Sequence, residues 1–124
     1  MDNLTKNVLV LAYLGDSIYE FHIRNYLIQK KIGNVKDLQQ QAVQYVSAKA
    51  QCSFLKSMME ENFLKEDEIN VVMRARNHKV AHRPKSTDIV TYKYATGLEA
   101  LIGYLYLEKK EDRILEIMNY VIGE

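Results

Sequence analysis

Residues 94–107 read YATGLEALIGYLYL, and beyond Ala95 this stretch is apolar on nearly every side of a helix. A helix of that kind is normally surrounded by others. The stretch therefore reads as a central helix and the rest of the chain as its shell. One Pro and five Gly in 124 residues, with few alternating apolar and polar runs, point to an all-α domain. The central stretch carries one anomaly, Glu99. Its same-face neighbours at spacings of three and four are Ala95, Thr96, Ile102 and Gly103. None is basic, so this carboxylate needs a partner from elsewhere in the fold.

A second carboxylate, Asp16, interrupts the apolar run LVLAYLGDSIYEF at residues 9–21. Burying a lone ionised carboxylate is costly unless a partner, a hydrogen-bond network or a cation compensates it. Two such residues in separate apolar helices can converge on one hard cation, which takes oxygen ligands. That makes the chain a candidate metal-dependent hydrolase. Asp16 has a competing account: it follows Gly15 and precedes a helix-like run, as an N-cap does.

Apolar spacing and stop signals predict a short helix over residues 4–13 and a second over 16–31, the latter stopped by Gly33-Asn34. A long helical stretch follows over 35–60, broken near Ser47, which can cap its second half. Another helix is expected over 65–77, with Glu66, Asp67 and Glu68 favouring the macrodipole in its first turn. Residues 78–86 read as a loop marked by Pro84. Ser86-Thr87-Asp88 offer cap candidates for the central helix, which runs to about 108, and a last helix covers 111–122. Tyr92, Tyr94, Tyr104 and Tyr106 read as core or interface residues. The surplus of apolar surface on so small a domain favours a homodimer.

At this length the chain reads as one domain, residues 1–124. Its 48% hydrophobic and 27% charged residues are ordinary for a soluble protein, and no run approaches a membrane span. The acid-containing N-terminus does not read as a signal peptide. Cys52 is the only cysteine, which excludes an intramolecular disulfide and a Cys-based zinc site; a buried thiol and a cytoplasmic setting are expected. The net charge of +1 hides a segregation. Residues 60–68 carry five acids and one Lys, whereas RARNHKVAHRPK at 74–85 carries five Lys or Arg, two His and no acid. Such asymmetry suggests one anionic contact site. His22, His78 and His82 form no HExxH or HD pattern; His78 and His82 are spaced as a metal pair only if that segment is helical.

LAYLGDSIYE at 11–20 together with LEALIGYLYLEKK at 98–110 resembles the ribonuclease III catalytic domain. With VSAKAQ at 46–51, RARNHK at 74–79 and PKSTDIVTYKYATGLEALIGYL at 84–105, the chain is similar to the Mini-ribonuclease III subfamily, which lacks a double-stranded-RNA-binding domain. The full-length pattern has a glutamate four positions before the Asp of GD and an aspartate three before the Glu of EALIG. Here Ala12 and Thr96 hold those places, a thinning that the short subfamily shares.

The resemblance implies an all-α ribonuclease III-type endonuclease domain that forms a helical dimer and cleaves double-stranded RNA to 5′-phosphate and 3′-hydroxyl ends. It implies Mg²⁺, with Mn²⁺ as a substitute, and a role in maturing precursor ribosomal RNA of the large subunit. Asp16 and Glu99 are its implied catalytic and metal-binding residues. They are a sufficient minimum where water and RNA phosphate complete the metal shell. Glu20, at i+4 from Asp16, either assists through water or is an exposed structural glutamate. Arg74, Arg76, Lys79, Arg83 and Lys85 are the expected RNA-binding residues, since backbone charge positions a duplex without reading its sequence. Lys49 is a weaker candidate. The alternatives are an RNA-binding module that has lost cleavage and a helical dimer scaffold without a nucleic-acid role.

Overall fold

Short polar side chains start most of the helices in the computed structural model, which describes residues 6–79 and 88–123. Helix α1 spans Val8–Gln29, with the Asn7 side chain accepting from Leu9 N at 2.8 Å. Asn34 opens α2 (Val35–Val46) by accepting from Asp37 N. Ser47 breaks the next stretch as expected: it ends α2 and caps α3 (Ala48–Glu60) by accepting from Ala50 N. Helix α4 covers Glu66–Asn77 with three acids in its first turn. Asp88 starts α5 (Ile89–Leu107), its two carboxylate oxygens taking the backbone and hydroxyl protons of Thr91. Helix α6 covers Glu111–Ile122 and ends on left-handed Gly123. Among the described residues there is no strand. Ser86, Thr87, Pro84 and most of the expected 78–86 loop lie outside them.

The expected break at Gly15-Asp16 is not there. Both residues lie inside α1, which runs unbroken for 22 residues, so Asp16 is not an N-cap. The glycine serves a helix crossing rather than a turn. A Cβ built on Gly15 would stand 1.7 Å from the Glu99 carbonyl oxygen of α5. One on Gly103 would stand 2.0 Å from the Leu11 carbonyl of α1. Each helix thus removes a side chain where the other's backbone presses on it.

Helix α5 is the central helix that its composition predicts. It packs against α1, α3, α4 and α6, and its residues from Ala95 to Leu105 are buried with the single exception of Glu99. Leu11, Tyr19 and Ile23 of α1, Leu55 of α3, Val71 of α4 and Ile117 of α6 close around it with no exposed surface. Cys52 is buried and unpaired in this core. A buried ion pair holds the last helix: Arg113 donates from Nε and Nη2 to the two oxygens of Glu68, each at 2.9 Å. It also donates to the Phe63 carbonyl at 2.6 Å, while Glu68 accepts from Lys65 N at the start of α4. No described helix is long and apolar enough to cross a membrane.

Candidate active site

The Gly15–Gly103 crossing determines where the two intrusive carboxylates meet. Asp16 follows Gly15 on α1, and Glu99 lies one turn before Gly103 on α5, so the crossing brings residues 83 positions apart into one place. Asp16 is exposed and Glu99 half-buried. Their side chains are close enough to interact. Burial, the neighbouring Asp16 carboxyl and its charge push the Glu99 carboxyl up to about 8, and the charge of Glu20 adds to the rise. A carboxyl raised in this way keeps its proton until something positive replaces it.

Three further side chains complete the surroundings. Glu20 stands one turn after Asp16 and is held by Arg24 at 3.0 Å, a half-exposed pair on the same helix. Tyr19 lies fully buried beneath, its hydroxyl donating to the Tyr45 carbonyl at 2.6 Å. Burial and the Glu99 charge drive the Tyr19 phenol well above its ordinary range, so it keeps its proton. Gln51, from the first turn of α3, is 2% exposed, and its Nε2 has no hydrogen-bond partner in the protein. The Gln51 amide lies near Glu99 and favours its charged form. An unpartnered buried amide costs about 1–3 kcal/mol.

The two positions where the full-length ribonuclease III pattern has further acids are accounted for. Ala12 is buried, and the Thr96 hydroxyl turns back along its own helix to donate to the Tyr92 carbonyl. Among the described residues no group of three or more His, Cys, Asp or Glu side chains is placed to hold a metal ion. Asp16 and Glu99 nevertheless suit a hard dication that keeps much of its water. Mg²⁺ commonly binds through one or two carboxylates and takes the rest of its shell from water and phosphate.

The expected RNA-binding residues divide. Arg76 and Lys79 are exposed at the end of α4 and just beyond it. Arg76 lies 5.3 Å from the centroid of the Tyr94 ring, and Lys56 lies 5.1 Å from the same centroid. Arg74 is half-buried and donates to the Lys6 carbonyl, which ties α4 to the segment before α1. Lys49 is exposed on α3. Arg83, Lys85 and His82 lie outside the described residues. His78 has extended backbone as the C-cap of α4, so it cannot begin a helical His pair. His22 is half-buried beside Phe21, and burial lowers its imidazole below the ordinary value. Of the residues around Glu99, sequence reasoning missed Gln51 and Tyr19. Gln51 belongs to the VSAKAQ segment, but nothing in one sequence says that its amide faces Glu99.

Residues 9–110 match the model of the ribonuclease III domain. The Mini-ribonuclease 3 of Brevibacillus brevis is 50% identical over 94% of this chain and 85% of its own length. That of Staphylococcus aureus is 38% identical over 94% and 87%. The crystal structure of a Fusobacterium nucleatum protein superposes with a TM-score of 0.86 at 38% identity, covering 97% of this chain and 95% of that one. The matched range spans the glycine crossing and positions 16 and 99, and the chain belongs to the ribonuclease III family.

Proposed function

We propose that this protein is a metal-dependent endoribonuclease that cleaves double-stranded RNA, with Asp16 and Glu99 as its catalytic and metal-binding residues. The observation that carries the proposal is the meeting of these two carboxyls at the glycine crossing, where Glu99 keeps its proton up to about 8. Phosphodiester hydrolysis needs a water activated near neutral pH and a stabilised leaving 3′ oxygen. Bound Mg²⁺, or Mn²⁺ in its place, supplies both. Asp16 offers its carboxyl oxygens at the surface, open to water and to an incoming phosphate. Glu99 would serve as a ligand once it gives up its proton, so metal affinity would rise with pH up to about 8.

Residues 1–124 act in this reading as one catalytic domain. Its products carry 5′-phosphate and 3′-hydroxyl ends, and its substrate in the cytoplasm is precursor ribosomal RNA. Arg76 and Lys79, joined by Arg83 and Lys85, contact duplex phosphates; Arg74 contributes mainly by fixing α4 through Lys6. A homodimer presents two sites across one duplex. The exposed apolar side chains Leu9, Val10 and Tyr13, at 44, 58 and 85% exposure, support such a contact. They lie on α1 just before Asp16.

The test is incubation of duplex RNA with Mg²⁺ and the parent protein, Asp16→Asn or Glu99→Gln. The parent is expected to cut, and each variant to lose at least about a hundredfold in rate, the scale of losing a group that acts only in the transition state. Cleavage that survives in both variants would remove the site assignment. Binding without cleavage by the parent would instead favour an inactive RNA-binding module.

A further inference from the structure

We propose that Gln51 is a positioning residue of the metal site: its buried Nε2 takes up a Glu99 carboxylate oxygen and fixes the orientation in which Glu99 and Asp16 share a cation. The inference rests on the metal-site reading above and assigns a role to a side chain outside the carboxylate pair. Four polar or charged side chains are buried among the described residues: Gln51, Glu68, Thr96 and Arg113. Glu68 and Arg113 satisfy each other. The Thr96 hydroxyl bonds within its own helix. Gln51 alone keeps a buried nitrogen without a partner. Buried donors are rarely left so, and an exception beside two carboxyls calls for a state in which the bond is made.

Accessibility decides what the acceptor is. The Gln51 nitrogen has essentially no exposed surface, so neither bulk water nor an RNA phosphate can reach it directly. The acceptor must already be inside, and the half-buried Glu99 carboxyl is the neighbouring group that can turn. Glu99 now interacts with the neighbouring Asp16 carboxyl. A cation drawing on both carboxylates ends that engagement and leaves Glu99 an oxygen to place. Support of this kind, from the groups behind a metal ligand, orients the ligand and tunes the site.

The experiment measures Mn²⁺ affinity by electron paramagnetic resonance, together with the melting temperature of the metal-free protein. The variants are Gln51→Met, Gln51→Asn, Glu99→Gln and the double variant Gln51→Met/Glu99→Gln. Gln51→Met keeps the length of the side chain and removes the donor. It is expected to melt at or above the parent temperature and to bind Mn²⁺ about tenfold or more weakly, within the range seen for supporting residues of metal ligands. In the Glu99→Gln background the same change is expected to cost no further affinity, because Gln51 acts through Glu99. Parent-like Mn²⁺ affinity in Gln51→Met, or a loss that persists undiminished in the Glu99→Gln background, would overturn the role of Gln51 alone. Should Gln51→Met not fold, Gln51→Asn decides: its amide is drawn back by one methylene, weakened binding supports the role, and unchanged binding overturns it. A parent that binds no Mn²⁺ overturns the metal-site reading and this inference with it.

Discussion

Glu99 is held protonated first by burial and then by its neighbours, and this fixes the sign of a pH effect on stability. Its carboxyl lies at about 8 in the folded protein against an ordinary 4.5. A folded-state value above the unfolded one gives a contribution fully present below 4.5 and lost as the pH rises through 8. Metal-free protein is therefore expected to lose stability steadily across that interval. Asp16→Asn removes the neighbouring carboxylate and its charge but not the burial, so it should reduce the slope in part. At pH 8 the variant should be more stable than the parent by about 1 kcal/mol, a few degrees in melting temperature, after allowing for the exposure of Asp16 to water. Toward pH 4, where Glu99 is protonated folded and unfolded alike, the variant's advantage should be lost. Thermal unfolding in chelator at a series of pH values checks this. A variant less stable than the parent at pH 8 would mean that Asp16 supports the fold rather than straining it. Both carboxylates were legible in the sequence because each interrupts an apolar run. Their proximity to each other was not, since no local spacing links residues 16 and 99. Gln51 was legible only as a letter in a segment, because an unmet hydrogen bond exists only in three dimensions.

At the scale of helices, Gly15 gave a misleading signal whose physical cause is now visible. Glycine next to a capping residue ordinarily reads as a helix boundary. Here it permits α1 and α5 to touch backbone to backbone. Helix propensity alone says that Gly15→Ala stabilises an exposed helix interior by about 1 kcal/mol. With a Cβ at 1.7 Å from the Glu99 carbonyl, the opposite is expected: a loss of about 3 kcal/mol or more, read by urea unfolding, and loss of cleavage as the carboxyls part. Breaks that depend on capping chemistry, at Ser47 and Asp88, were readable because the cap acts within three residues. The Glu68–Arg113 pair was not, because 45 residues separate its members. Glu68 is spaced as one of three first-turn acids favouring the macrodipole, yet it is the buried one. Arg113→Met should leave its charge stranded and cost about 3–5 kcal/mol, while the double variant Arg113→Met/Glu68→Leu should recover much of that. Equal losses in the single and double variants would show that Arg113 contributes through packing against Phe63 instead, where its guanidinium lies 4.5 Å from the ring centroid.

For the whole molecule, a net charge of +1 supplies almost no overall attraction to RNA, so affinity must come from where the charges stand. Removing one phosphate contact, by Arg76→Ala or Lys79→Ala, is expected to lower the steepness of the salt dependence of duplex binding by about one unit. A second copy of the chain would double the number of such contacts on one duplex, which makes assembly part of the same question. Tyr13 is the most exposed of the large apolar side chains among the described residues, at 85%, and lies three residues before Asp16. A tyrosine ring left in water is a large apolar loss that contact with a second copy recovers. Tyr13→Arg puts a charge into that contact without touching the α1–α5 crossing. Light scattering is expected to give the parent about twice the 14.5 kDa of one chain and the variant a value near one. Duplex cleavage should fall with the dimer while the metal-free melting curve at low concentration stays unchanged. A parent that runs at the mass of one chain and still cuts both strands would remove the dimer from the mechanism and leave each Asp16–Glu99 pair to work alone.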